Sequence, residues 1–552
     1  MWIQDYDPAG WQPASTLLAA LPILTLMGLL ISGRAAAWKA AGAALLVACA
    51  TAALGFGMPW RMAASAAGAG AAFGLIRIVY LVVSAMFLYD LAVATGRFEV
   101  MKASIARVSP DRRIQAVLVA FCFGGFLEGC AGFGAPVAIA AAFLVGLGFR
   151  PLRAAVLALV ANTACVPWGS VGIPLTTLGG VSGMDVQALS AATAWILFPT
   201  TLLTPFALAG IVAGPRRILG AWPPLLAVGL TYATVQLLWA RFVGVELVSI
   251  ASAIASLVAA VLALRLWRPA EAWRFEEDGD PTATFAAAAP PASRRGVVSA
   301  WLPFALLTAA VMAWATPAVK SRLDAWGTWK VEVAALHKQV ARGEAVTGRP
   351  SPTPADLEPA VVDVAPLSAV GTAVLLAAVM GGLIAGVRPA EMGRIFLGTL
   401  RRMAPPGGAI LCMLALGFVT RYSGMDAVLG LAFTRAGATL YPVFGTMLGW
   451  LGTALTGSLT SSNALFGSLQ KITATKLGLS PILMGAANAA GGAMGKMVAA
   501  ASIVVAAAAT GDEGHEAEVL RAALRYSLAM AAIVAAVVWI AATIMGGAPA
   551  SL

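Results

Sequence analysis

Glu128 stands in the run GGFLEGCAGFGAPVAI, residues 124–139, with no other charge near it. A carboxylate in so apolar a run costs roughly 2.5–3.5 kcal/mol to place in lipid and is a functional candidate by default. It can take up and release a proton, or it can serve structurally by capping a half-helix or pairing with a cation. Gly124, Gly125, Gly129, Gly132 and Gly134 weaken a helix, and Pro136 cannot continue one. The expectation is a backbone break around Glu128. Free N–H and C=O groups at that depth are tolerated only where they line an enclosed or watery cavity.

Asparagine is the next signal. The chain has three: Asn162, Asn463 and Asn488. An unpaired amide in hydrocarbon costs roughly 2–7 kcal/mol, so each is either glue between helices or part of a polar site. ANTACVPWGSVGIP, residues 161–174, joins Asn162 and Thr163 to Pro167, Gly169, Gly172 and Pro174, and reads as a broken helix. TGSLTSSNALFG, residues 456–467, clusters Ser461, Ser462 and Asn463 with other hydroxyls. A hairpin tip of that kind, with half-helix N-termini aimed at it, can hold a carboxylate with neutral donors. NAAGGAMGKM, residues 488–497, adds Asn488 and Lys496. Lys496 can draw in an anion or neutralise Glu128, or it can be an interfacial lysine reaching for water. Gly132 to Asn162 is 30 residues and Ser462 to Asn488 is 26, which suggests paired repeats. The candidate site is therefore Glu128 for the proton. For the anion it is the backbone at Gly129, Gly132 and Gly134, the side chains of Asn162, Thr163, Ser461, Ser462, Asn463 and Asn488, and Lys496.

Other motifs fail. GAMGKM has Ala490 and Met497 where a phosphate loop needs Gly and Ser or Thr. Ser468 and Lys471 have the spacing of a penicillin-binding nucleophile pair without its companion motifs. His337 and His515 lie in polar loops, and the five cysteines form no Cys-x-x-Cys pair. These residues predict no metal site, no cofactor and no enzyme.

The elements that position these residues follow from composition. Of 552 residues, 60% are hydrophobic and 11% charged, against about 25% charged in soluble proteins. A soluble enzyme, a coiled coil and a disordered scaffold are excluded. The remaining class is an all-α polytopic membrane protein in which apolar runs repeatedly cross about 30 Å of hydrocarbon. The net charge of +11 comes from loop clusters such as Arg107, Arg112, Arg113, Arg216, Arg217, Arg401 and Arg402. They orient the chain by the positive-inside rule and are not a nucleic-acid surface. Residues 1–13 carry Asp5 and Asp7 and no Lys or Arg, so no cleavable leader is expected.

The runs predict about 12–14 spans. Residues 1–266 form a first half with a re-entrant hairpin near 121–136. A cytoplasmic linker covers 267–298, a spanning helix 299–316 and a polar extracytoplasmic loop 317–363. Residues 364–552 form a second half with a hairpin near 456–463. This two-part layout is that of transporters built from structural repeats.

At these residues the chain resembles the L-lactate permease family. The resemblance runs from YDPAG (6–10) through FCFGGFLEGCAGFGAPVAIAAAFLVGLGF (121–149), NTACV and GIP (162–174), LGWLG (448–452) and TGSLTSSNALF (456–466) to GGAMGKM (491–497). It implies uptake of a small 2-hydroxymonocarboxylate, such as L-lactate, D-lactate or glycolate, with protons across a bacterial inner membrane. It also implies two inverted repeats with re-entrant hairpins and broken helices, moving as an elevator. Elevator carriers are often homodimers. The chain departs from the family in four places. Leu459 stands where the family's TGSDTSSN has Asp, Ala499–Ala501 replace Ser-Pro-Gln, and Arg77 and Arg421 sit in apolar runs. The departures leave two alternatives: a carrier of another anion, a dicarboxylate or sulfonate, or a non-transporting sensor or partner subunit of the same fold.

Overall fold

The structure is a computed structural model that describes residues 1–31, 36–130, 132, 134–267, 269, 272–275, 293–347, 353, 356–512 and 515–545. The chain is a nearly all-helical, multi-pass membrane protein. Among the described residues ten helices are long and apolar enough to span, or twelve if each of two bent pairs counts as one. The expected count was slightly higher because several apolar runs pair as halves of one bent span.

One order of elements occurs twice. A first hairpin, Arg112–Cys130 and Ala135–Gly146, precedes a broken helix, Pro151–Asn162 and Gly169–Ser182, and a long helix, Val186–Ala213. A second hairpin, Gly437–Thr456 and Leu459–Lys476, precedes a broken helix, Pro481–Gly495 and Ala500–Thr510, and a long helix, Glu516–Met545. The broken helices bend by 66° and 43°. Cys165–Trp168 and Lys496–Ala499 supply the bends, where Pro167 and the short 3-10 turn Lys496–Val498 interrupt the α-helical ladder.

The expected break around Glu128 is narrower than its glycines suggest. Residues 124–130 stay helical, and the left-handed backbone comes only beyond them, at Gly132 (φ 53°) and Gly134 (φ 87°). The reason is packing. The apolar window of Arg112–Cys130 is 100% buried, so its glycines admit neighbours. A Cβ at Gly125 would lie 2.8 Å from the Tyr232 hydroxyl, and one at Gly129 would lie 2.6 Å from Ile250 Cγ1.

Glycine sets the closest helix contact as well. Gly437–Thr456 packs on Pro481–Gly495 so tightly that a Cβ at Gly491 would lie 2.0 Å from the Thr446 carbonyl, and one at Gly495 2.1 Å from that of Trp450. Backbone cannot swing away as a side chain can. Gly491→Leu is therefore expected to destabilise the fold by about 3 kcal/mol or more. A lowered melting temperature in detergent checks this, and an unchanged melt would contradict it.

Outside the bundle, Trp2–Ile3 pairs in parallel with Val340–Ala341, and Trp329–Glu332 pairs antiparallel with Val361–Val364. The N-terminus and the described part of the 317–363 loop thus form one small cap.

Candidate functional site

The two hairpin tips and the two helix breaks meet at one cavity of about 220 Å³. Glu128 and Gly134 reach it from the first hairpin, and Gly169 and Ser170 from the first break. Thr456–Thr460 reach it from the second tip, and Lys496, Ala501 and Ser502 from the second break. It is smaller than the roughly 300–1,000 Å³ of drug-sized pockets, which suits a ligand of a few heavy atoms.

Glu128 lies in the last turn of its helix and is 5% exposed. Its carboxylate sits directly on the first break, where a Cβ at Gly169 would stand 2.5 Å from Oε1. Among the described residues Glu128 Oε2, Asn162 Nδ2 and Ser502 Oγ are buried and have no hydrogen-bond partner. Unpaired polar atoms at this depth are costly, and two of these residues, Glu128 and Ser502, line the cavity, which points to a polar ligand. Lys496 Nζ donates to the Gly457 carbonyl at 2.6 Å, tying the second break to the second tip. Glu128 and Lys496 thus face one cavity from opposite halves of the chain.

The backbone of the first break is strained. Ser170, Val171 and Gly172 have φ of 45°, 61° and 85°. For a β-branched residue such as Val171 this is an outlier, of the kind that clusters at functional sites. The tip of the first hairpin presses on this turn. Gly132, at φ 53°, would place a Cβ 2.0 Å from Ser170 Oγ.

The structure sorts the candidates of the sequence into two groups. Glu128, Gly134 and Lys496 line the cavity. Asn463 and Asn488 are joined elsewhere in a chain of buried amides. Asn463 Nδ2 donates to the Pro174 carbonyl at 2.9 Å, Asn488 Nδ2 to Asn463 Oδ1 at 2.9 Å, and Gln470 Nε2 to Asn488 Oδ1 at 3.2 Å. The Tyr441 hydroxyl ends the chain on Gln470 Oε1 at 2.9 Å. This relay pins the second hairpin to the kinked start of Gly169–Ser182. Ser461 N–H donates to the N-cap Ser458 Oγ, and Ser462 Oγ donates to the Gly449 carbonyl. Thr163 Oγ1 donates to the Val160 carbonyl, and Gly129 packs on Ile250.

Sequence reasoning missed Ser502, Ser170 and Gln470 as contributors. Ser502 follows the alanines 499–501 and carries no local motif, whereas Ser170 lies inside the run 161–174 that was singled out. Leu459 lines the cavity and packs on Gly492.

Gly169→Ala forces the Glu128 carboxylate aside. Uptake of substrate is expected to fall on the order of 10–100-fold, the scale for displacing a positioned group by about 1 Å, with the melting temperature little changed. Wild-type uptake in this variant would show that the contact does not matter.

The sequence model described as L-lactate permease matches residues 15–545. The L-lactate permease of Bacillus subtilis is 39% identical over 96% of this chain and 96% of its own length. That of Escherichia coli is 38% identical, and the Escherichia coli glycolate permease 37%, each over 99% of both chains. With a match that spans both hairpins, both breaks and the cavity between them, the chain belongs to the L-lactate permease family.

Proposed function

We propose that the protein is a secondary active transporter that imports L-lactate or glycolate with protons. The observation that carries this reading is the cavity itself. It is set between two hairpin tips and two helix breaks, and its largely apolar wall holds one buried carboxylate, Glu128, and one ammonium, Lys496. Lys496 supplies the positive potential for the anion. Ionised Glu128 competes for that potential, so a proton on Glu128 favours the anion. Binding of proton and anion is then mutually favourable, which is the basis of symport. Ser502, Ser170 and the second tip at Ser458 and Thr460 orient the substrate, and the amide relay through Asn463 and Asn488 keeps the two halves in register.

We read the two triple elements as inverted repeats working as an elevator. The open end of the first hairpin lies among basic loops, where Arg113 donates to the Arg217 carbonyl at 2.6 Å and Trp273 N–H to Asp111 at 3.1 Å. The open end of the second lies at the opposite face, where Lys471 donates to the Ser182 carbonyl at 2.7 Å. The two hairpins thus enter from opposite sides. The positive-inside rule places the basic face in the cytoplasm and the capped N-terminus outside. A homodimer follows from the elevator reading alone.

Leu459 favours a second reading, a carrier of a different organic anion, because it makes one cavity wall apolar. The test is uptake of radiolabelled L-lactate and glycolate into proteoliposomes with and without an inward proton gradient, competed by a panel of mono- and dicarboxylates and sulfonates. Gradient-dependent accumulation of either acid is expected. Accumulation of a dicarboxylate or sulfonate instead would move the assignment to that anion.

A further inference from the structure

A second cavity of about 80 Å³ lies at the opposite end of the same helices. It is bounded by the N-terminal strand, the 317–363 cap and the outer ends of Gly169–Ser182 and Leu459–Lys476. Arg342, Arg421, Lys471 and Lys476 line it with a single carboxylate, Glu358. The transport reading gives Arg421 and Lys471 no role.

The charges do not cancel. Glu358 is shared by two guanidiniums, with Arg342 Nε at 2.6 Å and Arg421 Nη2 at 2.9 Å. Burial pushes its carboxyl up, but Arg421 and Arg342 outweigh that and hold it below the usual range. It therefore stays ionised and spoken for. Lys471 has no carboxylate partner among the described residues, and its Nζ donates to the Ser182 carbonyl at 2.7 Å. Arg421 Nη1 reaches the Val181 carbonyl at 3.4 Å. Even with the buried Asp426 behind Arg421 counted as ionised, four cations face two carboxylates. Excess positive charge in a part-buried cavity repels itself and draws an anion. Donors remain for one. Arg421 uses two of five N–H groups and Lys471 one of three, and a guanidinium fork matches the two oxygens of a carboxylate.

Position links this cavity to the inner one. Thr460 lines the inner cavity and Lys471 the outer, about 16 Å apart on one helix at 1.5 Å per residue. Between them Gly169–Ser182 and Leu459–Lys476 pack closely, since Leu178 Cδ1 lies 2.6 Å from where a Cβ at Gly467 would stand.

We propose that the outer cavity is a second binding site, in which Arg421 and Lys471 hold a small organic carboxylate before it reaches the inner cavity. The choice of a carboxylate over an inorganic anion rests on the transport reading above.

Equilibrium binding of radiolabelled L-lactate and glycolate to the purified full-length protein in detergent tests this. Two bound equivalents per chain are expected. Lys471→Gln is expected to weaken one of them about tenfold, the scale of a lost charged hydrogen bond, and Lys471→Arg to restore it. A Lys471→Gln protein that melts lower yet binds two equivalents as tightly as wild type overturns the proposal and leaves Lys471 as a helix cap. A single wild-type equivalent that survives Lys471→Gln also overturns it. A single equivalent lost with Lys471→Gln, in a protein that does not transport, supports the outer site and sinks the transport reading instead. Displacement by equimolar chloride or phosphate would overturn the assignment to a carboxylate. Absence of any binding of either acid at millimolar concentration overturns the proposal.

Discussion

Glu128→Gln abolishes gradient-driven accumulation of substrate and leaves counterflow intact: this is the result expected if Glu128 carries the proton. Glutamine keeps the shape of the side chain and, with one acceptor and one donor group, imitates the protonated acid, but it cannot gain and lose a proton in the working range. The carboxylate is 5% exposed, sits on the first break and has one oxygen without a partner. No other carboxylate lines the inner cavity among the described residues. One proton per anion across about two pH units supplies about 2.7 kcal/mol, which is about hundredfold accumulation. The mutant ratio is expected to fall to about one, while exchange of internal for external radiolabelled lactate continues. Wild-type accumulation by Glu128→Gln in proteoliposomes would remove Glu128 from the coupling step. Loss of both accumulation and counterflow, with an unchanged melt, would mean that it positions the substrate instead.

The membrane class and the break after Asn162 were legible from residue types because lipid gives unpaired backbone so few outlets, whereas the break at Lys496–Ala499 was not, since no proline marks it. Glu128 and Lys496 were legible for the same reason, since a charge in an apolar run must be paired or used. What was not legible was which polar residues pair with each other. Asn463 and Asn488 look like site residues in one dimension, 25 positions apart. In space they satisfy each other and Gln470, which no local motif marks. Glycine carried a second ambiguity. Gly125 and Gly129 weaken an isolated helix but suit a helix wrapped on every side by protein, and only the neighbours Tyr232 and Ile250 decide between the two. The outer cavity was invisible because Arg342, Arg421 and Lys471 come from three separate stretches of the chain.

Lys496→Met is expected to raise the KM for substrate about hundredfold, and the size follows from which of its two interactions dominates. The hydrogen bond from Lys496 Nζ to the Gly457 carbonyl at 2.6 Å is worth roughly 1.5–3 kcal/mol, but it is made with or without substrate and so does not enter KM. A unit positive charge about 5 Å from a bound carboxylate, at an effective dielectric of about 20, is worth about 3 kcal/mol. Electrostatics therefore sets the scale, and about 3 kcal/mol is about two powers of ten in affinity. Methionine keeps the length and apolar stem of lysine, so the helix Pro481–Gly495 and its turn have no reason to repack. Lys496→Arg retains the charge and is expected to keep most of the affinity, which separates charge from fit. The pair with Glu128 sharpens the test. If ionised Glu128 competes with the anion for Lys496, Glu128→Gln lowers the counterflow KM, and the penalty of Lys496→Met is larger in that background than alone. Equal penalties in the two backgrounds would show that the two charges act independently, and a Lys496→Met KM within twofold of wild type would remove Lys496 from the site.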